Sequence, residues 1–173
     1  EERRADHLAI LWYNLAGNRA NSAAIDLARL DRLLAGLEKE TPLDPEVRFL
    51  RARWYQVSGD HGRAMALYRT LAWGQPWTDR PFTFPDRSLN QRTVDWGNAN
   101  APWGEPVEYG LDNVFSPVGN LTVRQRVLYE LAVQPHDPSA RRRARAELAA
   151  QPLTARQRQQ LQALLDGPDA AQP

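Results

Sequence analysis

The 173-residue chain contains no cysteine, one methionine and, among 22 basic residues, a single lysine, Lys39. Without cysteine there is no disulfide, no thiol nucleophile and no cysteine-held metal. The near-exclusive use of arginine reads first as a coding bias and second as a preference for planar, multidentate hydrogen bonding. An excess of one sign is also missing. The 22 bases and 21 acids leave a net charge of +1, which argues against a general polyanion binder. No apolar run approaches the ~20 residues needed to cross a bilayer as a helix. No secretory signal pattern opens the sequence, and Glu1-Glu2-Arg3-Arg4 in place of a methionine reads as a processed protein or a piece of a larger, bacterial one. The compartment stays open between cytoplasm and periplasm or cell envelope.

Catalytic signatures are absent too. There is no Gly-x-Ser-x-Gly, no His-Glu-x-x-His and no phosphate-cradling glycine loop. His7, His61 and His136 do not pair at i+3 or i+4 spacing, so no metal site is expected. Asp60 beside His61 reads as a helix cap beside an exposed histidine. No catalytic residue and no cofactor is assigned.

What is there is helical patterning. Leu8, Leu11, Trp12 and Leu15 form one stripe in residues 5–16. Asn21 or Ser22 can cap a second helix running to Glu40, with Leu27, Leu30, Leu34 and Leu37 as its stripe, broadened by Ile25 and Leu33. A helix apolar over that much of its circumference is expected to sit between neighbours. Asp44-Pro45-Glu46 is a strong helix start, with an N-cap carboxylate, proline at the first helical position and an acid in the first turn. Val47, Leu50, Trp54 and Val57 follow as one stripe. Ser58-Gly59-Asp60 ends that helix and caps the next, whose stripe is Ala64, Leu67, Tyr68 and Leu71.

Tyr55, Gly59-Asp60, Ala64, Tyr68, Leu71 and Pro76 stand at the spacing of the second half of a tetratricopeptide repeat, and Ala52 suits the small position of its first helix. Residues 44–76 thus resemble about one such repeat, with Arg48 where the family has a tryptophan. The resemblance implies stacked antiparallel hairpins and a concave groove that binds a peptide or protein segment. An ordinary antiparallel pair in an irregular bundle is the alternative. Hairpins at 5–40 and 45–73 start about 40 residues apart against 34 in a regular array, so an array here would be irregular.

Residues 74–119 break the pattern with six prolines, which exclude a regular helix through most of the stretch. Trp77, Phe82, Phe84, Trp96, Trp103, Tyr109 and Phe115 are too many aromatics for a solvated linker. The expectation is an ordered, non-helical Pro- and Trp-rich insertion whose aromatics pack on the helices. Beyond it, helices return over 121–166, and Leu121-Thr-Val-Arg-Gln-Arg126 recurs as Leu153-Thr-Ala-Arg-Gln-Arg158. In each copy a threonine N-cap and a glutamine three residues on form a capping box. Asp137-Pro138 starts the helix between them.

The expected fold is therefore a single all-α domain of antiparallel helical hairpins with one long insertion. The leading functional expectation is a non-catalytic scaffold or adaptor for a protein or peptide. Its contact residues would be Trp77, Trp96, Trp103 and Tyr109 of the insertion and Arg141, Arg142 and Arg145 of the basic last third. A glycan-binding module using the same tryptophans is the alternative, since indole faces stack on sugars. A helical enzyme with acids assembled under the insertion is a third. Residues 121–165 hold eight arginines against three acids. That face reads as solvated and paired with the more acidic first third before it reads as a nucleic-acid surface, and an acidic protein partner is a further reading.

Overall fold

A computed structural model of the chain describes residues 2–12, 14–15, 25–74, 77, 79–80, 82 and 121–166. Every regular element among the described residues is helical. Seven α-helices are seen there: α1 Glu2–Trp12, α2 Leu27–Glu40, α3 Pro45–Ser58, α4 His61–Arg69, α5 Val123–Val133, α6 Pro138–Ala149 and α7 Ala155–Leu165. After Arg69 the chain widens into a π-helical turn, Thr70–Gly74, that buries Leu71 and Ala72. No helix among the described residues is long and apolar enough to cross a membrane.

The boundaries follow capping chemistry. The Asp44 carboxylate accepts from the N–H groups of Glu46 and Val47 (2.8 and 3.4 Å) with Pro45 at the first helical position. Gly59 ends α3 at φ 91°, a left-handed conformation that a side chain would strain. Asp60 then caps α4 through the Arg63 N–H. Both capping boxes, Thr122 with Gln125 and Thr154 with Gln157, are formed in full. Two boundaries move. The first helix spans Glu2–Trp12, with Leu15 buried in a π-type turn just beyond it. The second begins at Leu27 with Asp26 as its cap, not at Asn21 or Ser22.

One continuous core runs from Leu8 on α1 to Leu161 on α7. α2 lies between α1 and α3, and its outer arc is exposed. Helix α3 has more than the one stripe read from sequence. Val47 and Leu50 are fully buried, but so are Glu46, Phe49, Ala52 and Arg53, while Trp54 and Val57 are only half-buried. Helix α5 is central. Nine of its eleven residues are buried, Arg126 and Glu130 among them, because α3, α4, the π-turn and α6 all pack against it.

Beyond Gly74, four residues of the Pro- and Trp-rich stretch are described, and all join helices. The Trp77 indole N–H donates to the Leu71 carbonyl (2.7 Å). Phe82 packs edge-on against Trp12 at 4.4 Å between centroids and lies 5.5 Å from Phe49. Arg80 bridges Asp44 and Glu46 at the start of α3. Asp79 accepts from the Thr122 hydroxyl and the Arg124 N–H, and the Arg80 carbonyl accepts from the Val123 N–H. The first two amides of α5, Val123 and Arg124, are thereby satisfied from another part of the chain.

Candidate functional site

The α3 helix places Arg48, Arg51 and Tyr55 along one face at i, i+3 and i+7. Helix α4 adds Arg63, Ala66 and Leu67 opposite them, and Glu38 and Pro42 close the side toward α2. Together they line a groove of about 460 Å³. Its charged wall is held rigidly. Arg51 grips Glu38 with two parallel hydrogen bonds (2.7 and 2.8 Å) and reaches Asp31 at 2.6 Å. Burial opposes its charge, but Glu38 and Asp31 outweigh burial and hold its pKa above the ordinary arginine value. The Tyr55 ring has two guanidinium groups within cation–π distance, Arg51 at 5.9 Å and Arg63 at 5.8 Å. Arg63 stays largely exposed, and its ion-pair partner among the described residues is Asp60 at 3.5 Å. The groove thus offers an aromatic and aliphatic floor under a mixed rim that includes the exposed guanidinium of Arg63.

Deeper in the molecule lies a cluster of buried charge. Arg53 of α3 donates to the Leu15 carbonyl (2.8 Å) and to Gln56 (2.8 Å), and meets Glu130 of α5 at 3.4 Å. Arg126 binds the same carboxylate through Nε (3.0 Å) and Nη2 (2.9 Å). Its guanidinium lies 5.7 Å from the Phe49 ring and 5.6 Å from the Tyr129 ring. Burial, together with the like charge of Arg53, lowers the Arg126 pKa despite Glu130. For Arg53 burial acts the same way, yet Glu130 leaves its pKa raised. The Tyr68 hydroxyl donates to Gln56 (2.9 Å), and burial first, then Glu130, pushes its pKa up. Glu46 is 1 % exposed and takes the Trp12 indole N–H and Arg80. These groups tie α1, α3, α4 and α5 to one another, and each named charge contacts an opposite one. Their chemistry is that of a staple.

The residues expected to make contacts fall in three places. Trp77 is half-buried, packs on the core and uses its indole N–H internally. Trp96, Trp103 and Tyr109 lie outside the described residues. Arg141, Arg142 and Arg145 are on α6, with Arg142 exposed and Arg145 donating to the Ala132 carbonyl (3.1 Å). The cap of α6 is itself braced, since Asp137 accepts from the Ala140 N–H and pairs with Arg69. The Ala140 N–H first, and then Arg69, hold the Asp137 carboxyl below its usual range. On the far side of α6, Trp73 donates to Glu147 while Arg143 lies 4.2 Å over its ring.

Two further concavities are lined by described residues. One of about 530 Å³ lies between α1 and α2, but its Arg4 is engaged with Thr41, Asp44 and Glu40. The other, between α6 and α7, is about 260 Å³. No group of three or more His, Asp or Glu residues among the described residues is placed to hold a metal. The fold does bring His61 and His136 together, 5.4 Å between ring centroids and both exposed, which their sequence separation hides.

In the sequence Tyr55 and Arg48 stand out only as positions of the tetratricopeptide pattern, and Arg51 and Arg63 do not stand out at all, because apolar stripes pass over a face built of Arg and Tyr. The same i, i+3, i+7 spacing applied to Arg and Tyr would have found the α3 face. No protein-family model, curated protein or solved structure matches the chain.

Proposed function

We propose that the chain is a non-catalytic interaction module. In this reading helical hairpins of tetratricopeptide character stack consecutively and hold a protein or peptide segment in the α2–α4 groove. The observation that carries it is the groove itself, with Tyr55 beside two guanidinium groups over a floor of Ala66 and Leu67. Arg, Tyr and aliphatic contacts of this kind are the usual anchors of protein interfaces. The doubly held Arg51 sets the shape, and the exposed Arg63 presents its guanidinium to a carboxylate or a backbone carbonyl. The tryptophan insertion is then a brace joining α3 to α5 through Asp79 and Arg80.

The test is a photo-crosslinking residue placed at Ala66, on the groove, or at Ala28, exposed on α2 away from it. In an extract of the source cells, adducts with a defined protein are expected at position 66 and not at 28. Arg63→Glu and Tyr55→Ala in the same background are each expected to remove them. Identical adduct patterns at both positions, or adducts indifferent to both substitutions, would refute the groove.

A further inference from the structure

The groove between α6 and α7 is flanked by two arginines whose charge is not met by a carboxylate in its lining. Arg158 donates to the carbonyls of Ala149 and Gln151 (2.9 and 3.3 Å), and Arg145 to that of Ala132. Carbonyl bonds satisfy the direction of an N–H but leave the charge in place. Neither arginine forms an ion pair among the described residues, whereas Arg143 on the same helix is paired with Glu147 at 3.0 Å. Between Arg145 and Arg158 lies the groove of about 260 Å³, floored by Leu148, Leu153, Leu161 and Leu165 with no acid in its lining.

The two properties together select a ligand. A row of leucines offers nothing to a hydrated phosphate chain, so the groove is not shaped for nucleic acid. The cations above it would oppose a purely apolar or basic helix. We propose that the α6–α7 groove seats an acidic amphipathic helix of a partner protein. Its apolar stripe lies on Leu153, Leu161 and Leu165, and its carboxylates pair with Arg145 and Arg158. A second copy of this chain does not supply that ligand from α2. There the stripe Leu30, Leu34 and Leu37 is already buried, and Asp31 and Glu38 are held by Arg51. The site is separate from the α2–α4 groove and stands whether or not that groove is occupied.

The experiment uses the full chain and two labelled synthetic helices of about four turns, ~14 residues each. Both carry leucine at i, i+3, i+4 and i+7, one flanked by glutamate and its twin by lysine. Fluorescence anisotropy at ~0.15 M salt measures affinity, and amide chemical shifts locate the site. The glutamate helix is expected to bind and to shift α6 and α7 amides. Arg158→Glu, at an exposed position, is expected to weaken it at least tenfold, and Arg145→Glu likewise. The lysine twin is expected to bind Arg158→Glu better than the parent chain. Equal affinity for the two helices, no binding at ~1 mM, or shifts confined to the α2–α4 groove would overturn the proposal. So would displacement of the glutamate helix by a single-stranded oligonucleotide, or by self-association of the chain that Arg158→Glu abolishes.

Discussion

Glu130 sits at 0 % exposure between Arg53 and Arg126. A buried ion cluster of this kind gives modest net stability when whole, because desolvation nearly cancels attraction. Its loss is a different matter. Glu130→Gln leaves two guanidinium groups in the core with the charge between them gone, and is expected to destabilise by ~3–5 kcal/mol, measured by urea unfolding. Arg126→Met is expected to cost less than half of that, since Arg53 still neutralises the carboxylate and the thioether fills the slot between Phe49 and Tyr129. Equal losses for the two would mean that packing, rather than charge, sets the cost. None of this was legible in the sequence. Glu130 there is one of three acids among eight arginines in the last third, and its partner Arg53 lies 77 residues away. Burial of a charge is decided by what packs on it from elsewhere, and local pattern carries no record of that.

Helix ends, by contrast, are written locally, and the structure forms both capping boxes where the repeated Leu-Thr-x-Arg-Gln-Arg segments place them. The two differ in setting. Thr122 is half-buried and also donates to Asp79, whereas Thr154 is exposed. Thr122→Ala is expected to cost ~1–2 kcal/mol and Thr154→Ala ~0.5 kcal/mol or less, read from paired thermal or urea denaturation curves. A Thr154 effect as large as that of Thr122 would mean that Asp79 adds nothing. The start of α2 shows where local chemistry stops deciding. Asn21, Ser22 and Asp26 are all acceptable caps, and the helix takes Asp26. The Trp54 indole N–H binds the Leu27 carbonyl at 2.9 Å, a tie from α3 to the first residue of α2 that local capping preference does not encode. Phe49 and Arg53 were missed on α3 for a related reason. Together with Glu46 they extend a second buried face that is charged at both ends, and a search for apolar stripes alone passes over it.

At the scale of the whole molecule, the helices are unequal. α5 is enclosed by its neighbours, whereas among the described side chains of α7 Leu161 is the one buried hydrophobic residue. Amide exchange is therefore expected to be slowest in α5 and fastest in α7 among the seven helices, α7 opening without the rest. Uniform protection across α5, α6 and α7 would contradict that gradient. The all-α class was legible throughout, but the centre was not. The sequence draws attention to the 44–76 hairpin because its caps and stripes are clean. α5 looks unremarkable because a helix buried on every side has no stripe to see. The position of α5 late in the chain also matters to a ribosome. The first four helices are complete by Gly74, yet the surface of Phe49, Tyr68 and Leu71, with the charge of Arg53, waits for a helix that ends at Val133. At 5–20 residues per second, those roughly sixty residues take about 3–12 s to be synthesised. For that interval the nascent chain carries an open apolar socket, and it is during translation, more than afterwards, that this protein has use for a chaperone.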